Sequence, residues 1–408
     1  MKPIKFIWLL LFILSCEDLG DGYNWNDNYS ENFIRRFGSK GYDYGWNITN
    51  SLYDNGLAII GRRRMELNGQ SDLWAIKTNS KGIVQWERYF GGSDNEDGYD
   101  VISTSDGGFI FAGYSWSFGQ AQQMYAIKTD NLGNILWEKT YGGEMWESAS
   151  TVIELSDGSF LLGGFSNSPG ISSGNTDFYI VKINSNGEKI WHKSYGNKVF
   201  PNHEWAYDMI QLNDLSIIIV GARDRYAEGS KNAFIIRIDK NGNLIWEKEL
   251  LGKNQENEII YSIAKGVNGY YYLCSTLNSS KSPDIFKPKI IKMDQYGNIE
   301  WERILESNGK NYHQYRAIAT KNNEIVVVGS SGQELPIGYR EDAFMTRLDS
   351  NGNIIWSYPY GSYDHDDWGW SLVENQNNDL ILVGSTKSFG ASLFDIFIVG
   401  TNQNGIQN

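Results

Sequence analysis

The sequence predicts an all-β fold, a seven-bladed β-propeller with four antiparallel strands per blade, occupying residues 29–408. Three observations carry this expectation. A turn-plus-tryptophan element recurs six times at almost constant spacing. Each interval holds the same four strand-like runs. The one piece missing at the C-terminus is present near the N-terminus.

The recurring element reads S-K-G-I-V-Q-W at Trp86 and N-L-G-N-I-L-W at Trp137, then S-N-G-E-K-I-W at Trp191. It returns as K-N-G-N-L-I-W at Trp246, Q-Y-G-N-I-E-W at Trp301 and S-N-G-N-I-I-W at Trp356, at intervals of 51, 54, 55, 55 and 55 residues. Within one period, Tyr99-Asp100-Val101-Ile102 leads through Asp106-Gly107-Gly108 into the apolar run Phe109–Gly113, which suits a strand buried on both faces. Met124–Lys128 and Ile135–Lys139 follow, the latter after a Gly-Asn turn. Such turns join antiparallel strands because Gly, Asn and Asp enter positive φ at least cost. Four strands in a repeat of this length describe a propeller blade.

Counting sets the blade number. The second strand occurs seven times, ending near Gly61, Gly113, Gly164, Gly221, Cys274, Gly329 and Gly384. The third also occurs seven times, beginning near Asp72, Gln123, Asp177, Asn232, Asp284, Asp342 and Asp395. The tryptophan-bearing fourth strand occurs six times, and the chain stops at Asn404-Gly405-Ile406-Gln407-Asn408, where a seventh is due. Asn32-Phe33-Ile34-Arg35-Arg36-Phe37-Gly38 matches that segment with Phe33 in the tryptophan place, so the N-terminal strand is expected to complete the last blade and close the ring. The six repeated tryptophans are read as locks between neighbouring blades.

Composition narrows the function classes. A net charge of −13 argues against a nucleic-acid partner, which needs a basic face. Of the two cysteines, Cys274 lies in an apolar run and reads as a small buried thiol, while Cys16 follows an N-terminal apolar stretch. Lys2 and Lys5 precede Phe6–Leu14, which is too short to span a bilayer and fits a signal peptide over residues 1–15. The tetrapeptide Ile13-Leu14-Ser15-Cys16 resembles a bacterial lipobox, which implies cleavage before Cys16, lipidation of that residue, and an acidic tether over residues 16–28. The expected location is the bacterial cell envelope, at the outer membrane or cell surface, with the chain anchored to the membrane without crossing it.

The run D-K-N-G-N-L-I-W, ending at Trp246, resembles the Asp…Gly…Trp repeats of quinoprotein-dehydrogenase-like propellers. The whole repeat is similar to those of secreted propeller lipoproteins of Bacteroidetes type. The resemblance covers residues 29–408 and implies architecture. It brings no cofactor, because the chain lacks an adjacent cysteine pair and none of that family's cofactor-binding residues is placed on it. Neither cofactor nor metal is expected.

Candidate site residues come from comparing blades. Counted back from the strand-two glycine, the position before the first strand reads Tyr44, Glu96, Glu147, Glu204, Glu258, Tyr312 and Asp367. This column is expected near the central channel. It reads either as hydrogen-bond acceptors repeated because the blade repeats, or as an acidic funnel for a cation, a metal ion or a basic partner segment. Aromatic residues that break the repeat share the same face: Trp46, Trp116, Trp146, Trp205, Trp368 and Trp370. Three of the four histidines, His203, His313 and His365, fall in links between blades, close to the column. Trp and Tyr beside carboxylates suit a sugar ring or a protein hot spot. The sequence thus points to a monomeric, lipid-anchored binding protein for a glycan or protein ligand. A carbohydrate-active lyase or hydrolase using His203, Glu204, His313, His365 and Asp367 is the alternative, and an envelope scaffold is a third reading.

Overall fold

The computed structural model describes residues 23–24, 33–64, 69–173, 175–196, 202–225, 230–252, 256–267, 269–279, 282–305, 312–334, 339–362, 365–391 and 393–407. Cys16, the signal peptide and most of the tether lie outside the described residues, as does Asp364. Seven antiparallel sheets follow one another around a ring, with the first strand of each innermost. The first blade runs Tyr44–Asn50, Leu57–Arg64, Ser71–Thr78 and Val84–Phe90, and the second Glu96–Ser103, Phe109–Ser115, Gln123–Thr129 and Ile135–Tyr141. The innermost strands of the remaining blades are Glu147–Glu154, His203–Gln211, Glu256–Lys265, Tyr312–Ala319 and Asp367–Glu374.

The ring closes as the repeat count requires. Asp367–Glu374, Leu380–Thr386 and Asp395–Thr401 form three strands of the seventh blade, and Phe33–Phe37 supplies the fourth. Phe33 lies opposite Gly400 and Phe37 opposite Ile396, while the Arg36 guanidinium is paired with the Asp395 carboxylate. Tyr23–Asn24, inside the expected tether, adds a two-residue bridge outside this strand.

Second and third strands are buried along most of their length because neighbouring blades cover both their faces. Cys274 is one of these fully buried positions. At each junction the aromatic side chain near the start of a fourth strand lies against the turn glycine of the next blade. Trp86 meets Gly133, Trp137 Gly187, Trp191 Gly242, Trp246 Gly297, Trp301 Gly352 and Trp356 Gly405. These glycines have φ between 72° and 83°. A Cβ on Gly187 would stand 2.9 Å from Trp137 Cε3, so both the turn and the close approach demand glycine. Trp86 and Trp137 also donate their indole N–H to carbonyls of that next turn, Asn131 O at 3.1 Å and Ser185 O at 2.8 Å.

Phe33 completes the set: a Cβ on Gly82 of the first blade would meet Phe33 Cε2 at 2.7 Å. Phe33 is 2% exposed. Phe33→Ala is expected to lower the unfolding free energy by about 3 kcal/mol in a denaturant titration, the usual cost of truncating a buried aromatic. A loss below about 0.5 kcal/mol would show that the N-terminal strand does not carry the closure.

Candidate functional site

Every innermost strand carries one residue more than its partner, a β-bulge at the same place in each blade. The bulged residues are Trp46, Tyr99, Ser150, Tyr207, Tyr261, Tyr315 and Trp370. A bulge re-aims a side chain, and here it brings neighbouring blades together around the axis. Trp46 packs edge-to-face on Trp370 at 4.8 Å and on Tyr99 at 6.0 Å, and Tyr207 lies 5.3 Å from Tyr261. All five are half-buried. Burial pushes the Tyr207 phenol upward and that of Tyr261 to about 12, so both stay protonated.

One residue further along lies a polar belt: Asn47, Asp100, Thr151, Asp208, Ser262, Arg316 and Ser371. The belt stitches blade to blade. Val152 N donates to Asp100 Oδ2 at 2.8 Å, Ile263 N to Asp208 Oδ2 at 3.0 Å, Ala317 N to Ser262 Oγ at 2.9 Å, and Ser371 Oγ to Asn47 Oδ1 at 2.6 Å. Burial raises the Asp100 carboxyl and lifts Asp208 to about 6, while the Arg316 charge opposes both shifts.

The acidic column is closed, not open. Glu96, Glu147, Glu204, Glu258 and Asp367 are each at most 1% exposed. Glu96 accepts from Ser115 Oγ at 2.6 Å and Gly92 N at 3.1 Å, and Glu147 from Ser166 Oγ at 2.6 Å and Gly143 N at 3.0 Å. Arg223 Nε reaches Glu204 at 2.8 Å, and Glu258 is held by Ser275 Oγ at 2.8 Å and Lys289 Nζ at 2.6 Å. Asp367 accepts from Ser388 Oγ at 2.7 Å and Ser362 N at 3.0 Å, and burial raises its carboxyl to about 6. Glu96, Glu147 and Asp367 tie the incoming link to their own blade, and Glu204 and Glu258 bind the second and third strands of theirs. Of the two readings, the column is therefore one of buried hydrogen-bond acceptors, and that of an open acidic funnel is corrected. A second correction concerns the first blade. Its 51–56 turn is one residue longer than its counterparts, with Asn55 at φ 60°, and counting back from Gly61 therefore slips by one. The column residue is Asp43, fully buried and bound by Arg64 N at 2.9 Å, and Tyr44 is freed to face its aromatic neighbours.

The remaining candidates divide by blade. His203 stacks on Trp205 with centroids 5.7 Å apart, and its Nδ1 lies 3.1 Å from Thr176 Oγ1. His365 is exposed, and the side chain of His313 lies outside the described residues. These histidines belong to the fourth, seventh and sixth blades, so the five enzyme candidates are spread around the rim.

The aromatic candidates do converge. Phe394 stacks on Trp368 at 4.2 Å, Trp368 neighbours Tyr44 at 6.4 Å, and Tyr44 stacks on Trp46 at 5.5 Å. The surface thus runs from the seventh blade through the first to Tyr99 of the second, and Trp116 and Trp146, 37% and 51% exposed, pair beyond it. A cleft of about 560 Å³ on the opposite mouth is lined by Ser105, Glu154 and Gln211, whose polar groups bond across blades. Tyr99, Tyr207 and Tyr261 were not among the sequence candidates. Their signal was an aromatic three residues after Glu96, Glu204 and Glu258.

No family model matches the chain, and no curated protein matches it. Among solved structures it is similar to a polysaccharide lyase of the PL25 ulvan lyase family bound to -[GlcA(1-4)Rha3S]-, with 10% identity, 90% of this chain and 96% of the other covered, and a TM-score of 0.51. It is also similar to the polysaccharide lyase Uly1, at 11% identity over 88% of this chain and 90% of the other, with a TM-score of 0.51. A GH93 α-L-arabinofuranosidase of Fusarium graminearum with arabinobiose matches at 13% identity over 76% and 93%, with a TM-score of 0.50. At such identities the likeness is one of fold.

The belt carries a pH signature. With its folded pKa near 6, Asp208 keeps a proton that the unfolded chain releases near pH 4. Its contribution to stability therefore falls as pH rises from about 4 to about 6 and is constant above. In urea titrations, Asp208→Asn is expected to reduce the loss of stability between pH 4 and 7 by about 1–3 kcal/mol. Parallel pH profiles for both proteins would show that Asp208 titrates normally.

Proposed function

We propose that this protein is a lipid-anchored envelope protein that binds a glycan on the aromatic mouth of its propeller. The observation that carries this reading is the continuous, half-buried surface of Trp368, Tyr44, Trp46, Trp370 and Tyr99 at the rim. A saccharide presents an apolar C–H face and a polar edge, so it needs aromatic planes flanked by hydrogen-bonding groups on a rigid frame. The bulges supply the planes, and the packed ring holds them still. Neighbours of the same fold that act on polysaccharides agree with this reading by analogy. Binding is favoured over catalysis because the carboxylates among the acid and base candidates, Glu204 and Asp367, are buried and consumed by structural bonds. The tether is assigned to Cys16 on the lipobox-like tetrapeptide alone.

Glycan-array screening followed by calorimetry tests the site. Trp46→Ala with Trp370→Ala is expected to weaken a glycan hit at least tenfold, about 1.4 kcal/mol. Tyr296→Ala, an exposed aromatic in a turn of the opposite face, is expected to leave it unchanged. Absence of binding to any glycan would overturn the reading. Turnover of a hit would replace binding by catalysis. For the anchor, radiolabelled palmitate is expected to enter the protein in bacterial cells and to be lost in Cys16→Ser, and labelling that survives this change would remove Cys16 from that role.

A further inference from the structure

Arg62, Arg63 and Arg64 end the second strand of the first blade. At the place of Arg62 the other ladders carry Tyr114, Phe165, Ala222, Thr276, Ser330 and Ser385. The blade does not require a cation there, so this guanidinium is a departure that the scaffold leaves unexplained. Strand alternation puts Arg64 on the same side as Arg62. Arg63 turns to the other side, over Trp74 at 5.3 Å and Tyr89 at 4.6 Å.

The Arg62 guanidinium lies 4.8 Å over the Tyr44 ring and 3.3 Å from Asp97 Oδ2, and its side chain is 23% exposed. Asp97, 1% exposed, also accepts the Trp46 indole N–H at 2.8 Å. One buried carboxylate therefore fixes both the cation and the central indole of the aromatic surface. The charge of Arg64 acts on Asp97, Tyr44 and Tyr114 together with that of Arg62. Asp43 and Asp72 also stand near this edge. Asp43 is taken up by the backbone N–H groups of Ser39 and Arg64, while Asp72 feels the charge of Arg63. The Nε atoms of Arg62 and Arg64 are buried and have no hydrogen-bond partner among the described residues. Among the described residues Asp97 is the only carboxylate within ion-pairing distance of Arg62, and none is within that distance of the Arg64 guanidinium, in a chain whose net charge is −13. Planar guanidinium forks are suited to carboxylate and sulfate oxygens.

We propose that Arg62 and Arg64 form an oxyanion subsite that selects acidic glycans, taking the carboxylate of a uronic acid or the sulfate ester of a sugar seated on Trp46 and Trp370. This rests on the glycan reading and narrows its ligand class. Calorimetry on the intact mature protein tests it with two matched pairs: polygalacturonate against its fully methyl-esterified form, and dextran sulfate against dextran. At least one charged member is expected to bind tenfold or more tightly than its neutral partner, and which pair shows the preference identifies carboxylate or sulfate. Arg62→Gln with Arg64→Gln is expected to abolish that preference while leaving weak binding of the neutral member. Arg64→Gln alone, which leaves the Arg62–Asp97 pair in place, is expected to shrink it severalfold and serves if the double variant does not fold. Equal affinity for charged and neutral members, or a preference that survives the substitutions, overturns the subsite and leaves the glycan reading standing. Failure of all four polymers to bind, together with a blank glycan array, overturns both.

Discussion

A flat aromatic ring seated on the turn glycine of the next blade is repeated at every junction of this molecule. The donor side needs a large plane at a fixed place in the fourth strand, and the receiving side needs glycine at positive φ. Neither half has value alone, because the indole would lie in solvent and the glycine would only weaken its turn. Together they set how each blade packs on the next, and this contact is repeated at all seven junctions of the ring. The channel, its rim and the placement of every candidate ligand-binding side chain inherit their geometry from this contact. Phe33 shows that the contact is more general than tryptophan: a phenylalanine fills the same seat at the seam.

The bulges act on a smaller scale and give the ring its chemistry. In a regular strand the position after the column would alternate between blade interior and neighbouring blade, with little reaching the axis. One extra residue per innermost strand points a side chain inward and lets the next residue bridge to the adjoining blade. That produces two concentric systems, an aromatic rim and a polar belt beneath it. The belt keeps its carboxylates by giving them backbone N–H partners from the next blade, which compensates much of their desolvation. Rigidity and recognition are thereby separated: the belt holds, and the rim is available for contact.

Much of the architecture is legible from the residues, because repetition magnifies weak signals. The seven second strands, the seven third strands and the match of Phe33 to the tryptophan place are each found where the count puts them. The site is less legible, for identifiable reasons. A carboxylate in a loop does not announce whether Ser115 or Ser166 will reach it, so buried acceptors and an acidic funnel look alike in one dimension. A bulge leaves no residue signature of its own, so Tyr99, Tyr207 and Tyr261 pass as ordinary strand aromatics. The longer turn at 51–56 shifts one blade by a residue, and this hides Asp43 behind Tyr44. Trp46, Trp368 and Trp370 could be singled out because they depart from the repeat, and departures survive errors of register.

The seam in the seventh blade has a consequence for the order of events in folding. Arg36 and Asp395 are separated by 359 residues, so Phe33–Phe37 has no partner from its own blade until Asp395–Thr401 has been made. At ordinary elongation rates that interval is roughly 20–70 s, during which Phe33–Phe37 presents an unpaired edge. Closing a loop of this size is a late and entropically costly step. Six blades are built from strands consecutive in sequence, whereas the ring as a whole needs one long-range pairing. Closure of the circle thus depends on the meeting of Phe33–Phe37 with Asp395–Thr401, while six blades depend only on pairings close in sequence.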